Sequence, residues 1–229
     1  MKFYTTVFLD PVDPQGVVPA LTAALAPFDM NDYRGEFDPT ATWDRWRLPS
    51  HEVLPVRRRW RGPRAARDGG VVFAAPKVIV DFDAMRRGAR RHAAGAWDAW
   101  AAVVRAHPGA LPRAHFEELH ADRSAAQQAF MLQPAVQEVA QAAVTQRHPY
   151  FDFTVLLADP VAYFGVDRDA FIARAEATSV TTHAYVTLDG QWLSELTDDR
   201  GPEAHALAMT EYIGSVPDDT VIARVYCHG

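Results

Sequence analysis

Proton transfer is the first kind of chemistry that the side chains of this sequence could perform. There are nine histidines, and His148 lies four residues before Asp152, a spacing at which a carboxylate can orient an imidazole as a general base. His51 lies in an irregular segment, and His183 begins a predicted strand whose end could line a cleft. We predict His51, His148, Asp152 and His183 as candidate catalytic residues. For His148 and Asp152 the alternative is a helix end followed by core aromatic side chains.

Two other pairs of reactive side chains have a less favourable arrangement. His115 and His120 are five residues apart and so about 140° apart around a helix, which does not suit the binding of one metal ion. Cys227 is the only cysteine, which excludes an internal disulfide bond, and a thiolate pair with His228 is conceivable. Its place two residues before the last one favours a structural or incidental role. We predict no metal ligands, and we place no catalytic function on Cys227.

Tryptophan and arginine side chains could bind a ligand in the irregular segment 29–70. Trp97 and Trp100 are three residues apart on the apolar side of a predicted helix, which is typical of core residues. The tryptophans of the irregular segment are less readily explained as core residues, because the segment around them is polar. The arginines that follow them could hold an anionic group. The candidate ligand-binding residues are Trp43, Trp46, Trp60, Arg57, Arg58, Arg59 and Arg61.

The charge of the chain is unevenly distributed. The segment 57–91 contains eleven basic and three acidic residues, a net charge of +8, whereas the whole chain has a net charge of −6 and the remainder therefore −14. Such a local excess can attract nucleic acid, phosphate or an acidic protein. Arginine outnumbers lysine by 21 to 2, a bias that a GC-rich genome produces without any functional cause. The alternative to a binding patch is therefore a solvated loop followed by a polar helix face.

Periodicity and turn residues predict the elements that position these side chains. Aromatic and β-branched alternation predicts strands, and Asp189-Gly190 predicts a hairpin turn between two of them. Helices follow from apolar residues at helical spacing together with Pro, Gly and Asp at their ends. The predicted strands are 3–9, 71–80 with an interruption at Pro76, 183–188, 191–196 and 221–226. The segment 43–48 is a candidate for a further short, bulged strand, although its two tryptophans are also spaced nearly as in a helix. The predicted helices are 17–26, 81–106, 113–121, 124–132, 134–146, 167–177 and 202–214.

This order of elements predicts an α+β protein. The strands near both ends would form a small mixed or antiparallel sheet, with helices packed on it and a helical middle region. We expect a single domain over 1–229, with 107–147 as a candidate helical subdomain. The chain is 48% hydrophobic and 23% charged, and it has neither a signal-peptide pattern nor a run of 18 apolar residues, so we expect a cytoplasmic protein without a membrane partner.

Several short segments together resemble a family of actinobacterial and actinophage proteins of unknown activity. The segments are Trp43-Asp44-Arg45-Trp46, Trp97-Asp98-Ala99-Trp100, Ala184 to Trp192, and Val216 to Thr220 leading into Val225-Tyr226-Cys227-His228. The family follows its Trp-Asp unit with a Gly-Gly-Arg-Trp type of turn, whereas this chain continues with Leu48-Pro49-Ser50-His51. The resemblance implies a bacterial cytoplasmic protein and a single compact unit, and it assigns no catalytic residue.

Three hypotheses of function follow. The first is a small-molecule enzyme or ligand-binding protein, with an aromatic and arginine-lined cleft near the loop 29–70. The second is a non-catalytic accessory protein that binds nucleic acid or an acidic partner through the basic segment 57–91. The third is a structural or phage-type interaction module. No glycine-rich phosphate loop, nucleophile elbow or paired-cysteine motif is present, so the sequence specifies no cofactor, reaction or oligomeric state.

Overall fold

The structure, a computed structural model, describes residues 2–30, 42–50, 54–57, 64–146 and 148–228. The chain forms two compact units. The first, here called the sheet unit, comprises Met1–Arg86 and Ala177–Gly229, and the second, the helical unit, comprises Arg87–Glu176. The expectation of a single domain with a helical subdomain at 107–147 stays a prediction.

The sheet unit contains a mixed sheet of seven strands within the described residues, with helices packed on it. The fold is therefore α+β, as predicted. Its strands are β1 (Lys2–Leu9), β2 (Arg45–Arg47), β3 (Ala66–Asp68), β4 (Val71–Pro76), β5 (Ala184–Val186), β6 (Trp192–Ser194) and β7 (Val221–His228). The α-helices that lie wholly within this unit are α1 (Val17–Leu25) and α9 (Pro202–Ser215).

Strands β1 and β7 form the centre of the sheet. They pair antiparallel over their whole length, from Lys2 opposite His228 to Leu9 opposite Val221. The order across the sheet is β3-β4-β7-β1-β5-β6, and only the β1–β5 pairing is parallel among the pairings that the structure describes. The edge of β7 that faces away from β1 pairs with two strands. Strand β4 pairs with the first half of β7, and the short strand β2 pairs with its last three residues.

The two faces of the sheet follow from the alternation of side chains along β1 and β7. The first face has Val7 and Val225 at its centre and is covered by α1, which buries Val17, Leu21 and Leu25 completely or nearly so. The second face has Phe8 and Ile222 and is covered at this end of the strands by Met209 and Ile213 of α9. Each core is apolar, as the hydrophobic alternation of the two long strands predicts.

The other end of the second face is polar, and we call it the polar end. Thr6 and Arg224 are directly opposite one another on β1 and β7, and the next pair of side chains on this face is Tyr4 and Tyr226. Strand β2 adds Arg47 opposite Tyr226 and Arg45 opposite His228. Because these residues alternate with core residues, the same register that buries the first face places all of them on one surface.

The helical unit is built on the long helix α2 (Phe82–Ala106), which begins in the sheet unit. Its core contains Trp100, Phe164 and Phe171, and Gly95 of α2 leaves the space that the Tyr150 hydroxyl group occupies. The further helices are α3 (Arg113–Leu119), α4 (Arg123–Met131), α5 (Pro134–Thr145), α6 (Phe153–Leu157), α7 (Pro160–Tyr163) and α8 (Arg168–Thr178), the last of which ends in the sheet unit.

Aspartate side chains begin several of these helices. The carboxylate groups of Asp122, Asp152 and Asp167 accept hydrogen bonds from backbone N–H groups of the first turns of α4, α6 and α8. Asp159 does the same for α7 and also accepts a hydrogen bond of 2.7 Å from the backbone N–H of Arg113. These caps satisfy N–H groups that a helix leaves without internal partners.

Candidate functional site

The polar end of the sheet offers exposed and half-buried polar side chains around two cavities. Arg45 and Arg47 are exposed, Tyr4, Tyr226 and His228 are half-buried, and the two remaining residues of this surface are buried. The second face of the sheet needs no apolar cover here, because its side chains are polar. The polar end is therefore the part of the sheet unit best suited to bind a polar ligand.

The first cavity, here called the arginine pocket, has a volume of about 230 Å³. Among the residues that the structure describes, its lining comprises Arg45, Trp46, Arg47, Tyr226 and His228. The guanidinium carbon of Arg47 lies 4.9 Å from the centre of the Tyr226 ring, a distance typical of a cation–π contact. This contact orients the planar guanidinium, whose N–H groups suit the recognition of carboxylate or phosphate.

Asp44 orients the imidazole of the arginine pocket. Its carboxylate oxygen lies 2.9 Å from Nδ1 of His228, and its backbone N–H donates to the carbonyl oxygen of His228 at 2.8 Å. Partial desolvation raises the pKa of Asp44, but the hydrogen bond and charge of His228 outweigh it, so the net result is a pKa below the ordinary value. An ionised carboxylate accepts the proton of Nδ1, which leaves Nε2 of His228 as the ring nitrogen for a ligand.

The second cavity, here called the threonine cavity, has a volume of about 370 Å³. Its lining includes Thr181, Thr182, His205, Arg224 and Tyr4. The Arg224 side chain is buried, and its Nη2 donates to the carbonyl oxygen of Val180 at 2.9 Å. Burial lowers the pKa of Arg224 to about 10, although the nearby Tyr4 acts in the opposite direction. The guanidinium therefore remains positively charged at neutral pH.

A buried histidine connects the threonine cavity with helix α9. Nε2 of His205 lies 3.0 Å from the carbonyl oxygen of Thr182, and a carbonyl oxygen can only accept, so Nε2 donates. The hydroxyl group of Thr182 donates to the carbonyl oxygen of Ala184 and accepts from the backbone N–H of Thr6. These bonds fix the imidazole of His205 and the edge of the sheet to each other.

Among the predicted catalytic residues, His148 and Asp152 do not form a pair. The imidazole of His148 stacks on the Phe151 ring at 4.2 Å between centres, and the Asp152 carboxylate caps α6 through the backbone N–H of Val155. No hydrogen bond joins the two side chains in the described part of the chain. The alternative of a helix end followed by core aromatic residues agrees better with this arrangement, because Phe151 is buried.

His183 lies at the rim of the threonine cavity. Its side chain is about half exposed, and Nε2 lies 3.8 Å from the Glu195 carboxylate. It is thus the predicted catalytic residue that the described structure places in a cavity. His51 lies outside the described residues.

The predicted ligand-binding tryptophans have different environments. Trp46 lines the arginine pocket. Trp43 is only 4% exposed and packs with the core of the first face, where the irregular segment returns to the sheet. This burial favours a core role for Trp43, and its interpretation as a ligand contact stays a prediction. Trp60 lies outside the described residues.

The predicted ligand-binding arginines do not line the arginine pocket where the structure describes them. Arg57 is exposed, and its backbone N–H donates to the carbonyl oxygen of Ile79 rather than facing either cavity. Arg58, Arg59 and Arg61 lie outside the described residues.

Three of the described cations of the basic segment 57–91 form ion pairs within the protein. Lys77 forms an ion pair of 3.4 Å with Asp218, Arg86 one of 3.3 Å with Asp83, and Arg90 one of 3.8 Å with Glu176. Exposed pairs of this kind reduce the local field although each stabilises the fold only weakly. Asp83 is already counted in the net charge of the segment, whereas Asp218 and Glu176 lie outside it and partly neutralise its excess of +8.

Neither a metal site nor a thiolate pair is visible in the described residues. No group of three or more His, Cys, Asp or Glu side chains is suitably placed to hold a metal ion there. Cys227 is completely buried on the first face, opposite to the face of its neighbour His228, and burial raises the pKa of its thiol to about 11. A reactive thiolate is accordingly disfavoured.

Sequence reasoning missed Arg45, Arg47, Arg224, Tyr226 and His228 as candidate site residues. One signal was present: Arg224 interrupts the apolar run from Val221 to Val225, where a charged side chain requires a particular reason. Arg45 and Arg47 gave no such signal, because their place beside β7 depends on a pairing between residues about 180 positions apart.

Comparisons with models of known protein families, with curated proteins and with solved structures find no match for this chain. The resemblance to actinobacterial and actinophage proteins stays a prediction. No helix in the described ranges has the length and apolar character required to cross a membrane.

Proposed function

We propose that the protein binds a small anionic ligand in the arginine pocket, a ligand with a phosphate or carboxylate group next to a flat ring. The observation that supports this most is the pairing of β2 with the end of β7. It sets two arginines of one strand opposite a tyrosine and a histidine of the other around one cavity. This function belongs to the first of the three hypotheses, and binding does not require that a reaction follows.

Each side chain has a distinct task in the proposed binding. The guanidinium groups of Arg45 and Arg47 donate charge-assisted hydrogen bonds to the anionic group. Tyr226 offers a half-buried ring against which a flat group packs beside the guanidinium of Arg47, and Trp46, which packs with the core of the first face, closes the pocket at its edge. His228, held by Asp44, presents Nε2 as a further polar contact.

The hypothesis of binding nucleic acid or an acidic partner through the segment 57–91 is less favoured. Its described cations include several with acidic partners inside the protein, and they are spread over β3, the 3-10 turn that follows β4, and α2. Nucleic-acid binding depends on several cations that contact successive phosphates. The ion pairs of the described residues work against such a continuous surface.

The probe that tests the proposed function is phenyl phosphate, measured by isothermal titration calorimetry. We expect saturable binding to the wild-type protein and at least about tenfold weaker binding to Arg47→Gln, because hydrogen bonds between charged groups stabilise by about 1.5–3 kcal/mol. Arg105→Gln is the matched control, since Arg105 is an exposed arginine of α2 outside both cavities. Equal affinities of the wild type and Arg47→Gln would refute the proposal.

A further inference from the structure

The two cavities of the polar end are separated by a single pair of rings. Tyr226 lines the arginine pocket and Tyr4 the threonine cavity. The two tyrosines are register partners on neighbouring strands, and their ring centres are 5.1 Å apart in an edge-to-face arrangement. Both are half-buried, so part of each ring is accessible to a ligand.

Each cavity has its own cationic group. The arginine pocket has the exposed side chains of Arg45 and Arg47, and the threonine cavity has the buried guanidinium of Arg224. A buried cation that lines a cavity attracts an anion more strongly than an exposed one, because water screens it less. Helix α9 begins at this cavity with Pro202, and the positive end of a helix adds to the same field.

The strand register gives the backbone spacing of the residues that carry these cations. Along β7, Arg224 is two residues, about 7 Å, from Tyr226, the partner of Arg47. It is four residues, about 13 Å, from His228, the partner of Arg45. The test therefore uses linkers of one and of two aromatic rings between the two anionic groups.

We propose that the arginine pocket and the threonine cavity form one elongated site for a ligand with two anionic groups joined by a flat linker. One group would lie at Arg45 and Arg47, the linker beside the edge-to-face pair of Tyr226 and Tyr4, and the second group at Arg224. This inference rests on the proposed function and specifies its ligand class further. The acidic side chain in the lining of the threonine cavity is Glu195, whose carboxylate lies 3.8 Å from His183, so its charge faces an imidazole at the rim.

The test compares ligands with one and two anionic groups by calorimetry. The probes are phenyl phosphate, para-phenylene bisphosphate and biphenyl bisphosphate, with benzoate and terephthalate as carboxylate equivalents. A second group that is bound intramolecularly raises affinity well beyond the twofold statistical gain of a symmetrical ligand. We expect at least one of the ligands with two anionic groups to bind about tenfold or more tighter than its single-anion counterpart.

Variants of the threonine cavity then show where the second group binds. Thr181→Trp would fill this cavity, and Arg224→Met would remove its cation. Both should abolish the tighter binding of the ligands with two anionic groups, and Thr181→Trp should leave the affinity for phenyl phosphate unchanged. Thr145→Trp, on an exposed helix position of the helical unit, is the matched control and should retain the gain. If Arg224→Met does not fold, because Arg224 is buried and bonded to Val180, Thr181→Trp decides alone.

The outcomes separate this inference from the proposed function. The elongated site is overturned if the ligands with two anionic groups bind no more than twofold tighter than their single-anion counterparts, or if their tighter binding persists in Thr181→Trp. In either case, phenyl phosphate binding that depends on Arg47 still supports the arginine pocket. Binding of phenyl phosphate that does not depend on Arg47 overturns both proposals. A gain with phosphates, carboxylates or both that Thr181→Trp abolishes supports the elongated site and identifies its preferred anion.

Discussion

Arginines on a sheet surface acquire a binding role only if neighbouring side chains hold them in place. In the arginine pocket, Tyr226 supports the guanidinium of Arg47 through the contact at 4.9 Å, and Asp44 supports His228 through the hydrogen bond at 2.9 Å. Such supports reduce the conformational freedom that is lost when a ligand binds. At the scale of the residue, the pocket is therefore partly organised before its ligand arrives.

The pair of Asp44 and His228 predicts a pH dependence of stability. The folded-state pKa of Asp44 lies below its ordinary value of 3.8, so its contribution to stability is fully present above that pH. The contribution is lost as the pH falls below 3.8 and through the folded-state pKa. We expect the difference in unfolding free energy between the wild type and Asp44→Asn to shrink over this range in urea unfolding at several pH values.

A double-mutant cycle provides the control for this prediction. In a His228→Gln background the Asp44→Asn substitution should have a smaller effect above pH 3.8, because the hydrogen bond and charge that lower the pKa are gone. An Asp44→Asn effect that is the same with and without His228 would contradict the assignment of the pair.

At the scale of the element, strand β7 connects the core with the candidate site. Its odd-numbered residues are buried on the first face, whereas Ile222, Arg224, Tyr226 and His228 run along the second face from the core to the polar end. Helix α9 covers the apolar part of this face with Met209 and Ile213 and leaves the polar part to the cavities. The position where the helix stops covering the sheet is thus the position where the site begins.

Two substitutions in α9 test its packing on the sheet. Met209 is completely buried, so Met209→Ala should destabilise the protein by about 2–5 kcal/mol. Leu207, on the same helix, is 61% exposed, and Leu207→Ala should change stability by no more than about 0.5 kcal/mol. Chemical denaturation of both variants checks this, and similar effects of the two substitutions would argue against the described orientation of α9.

Most helices and strands could be predicted from the sequence because their signals are local. The helix predicted over 81–106 is confirmed by α2, where the Asp81 carboxylate accepts from the backbone N–H of Ala84, and the hairpin at Asp189-Gly190 by β5 and β6. The short elements β3, α6 and α7 escaped prediction, since three to five residues are too few for a periodic pattern.

The candidate site was harder to predict than the elements that form it. The sequence pointed to arginine and tryptophan in the segment 29–70, and Trp46 does line the arginine pocket. The selection of individual residues depended on the register between β2 and β7, which no local pattern contains. Trp43 and Trp46 illustrate this: three positions apart, both pack with the core of the first face, but Trp43 is buried whereas Trp46 also lines the arginine pocket.

At the scale of the whole molecule, the distribution of charge favours the binding of an anion at one local site over the attraction of anions to the whole surface. The chain has a net charge of −6, which opposes the approach of polyanions from a distance. The cations of the polar end are nevertheless grouped around cavities, where contact rather than long-range attraction decides binding. A small anion is therefore a better ligand for this molecule than a long polyanion.

This view predicts that the exposed cations of the basic segment do not contribute to the binding of a small anion. Reversing the charge of Arg57 and Arg67 together should change the affinity for phenyl phosphate by less than about threefold, because neither residue lines the arginine pocket. Calorimetry at low and high salt measures the effect. A loss of tenfold or more at both salt concentrations would instead place the anion at the basic segment.

The central claim is that the arginine pocket is where an anionic ligand binds, and the position of the ligand can be measured directly. The measurement is a titration of the isotopically labelled wild-type protein with phenyl phosphate, followed by two-dimensional NMR of backbone amide and arginine side-chain N–H groups. We predict the largest shifts at Arg45, Trp46, Arg47, Tyr226 and His228, and saturation of these shifts along a single binding curve. Shifts concentrated in the segment 57–91 or in the helical unit, with these five residues unchanged, would contradict the account.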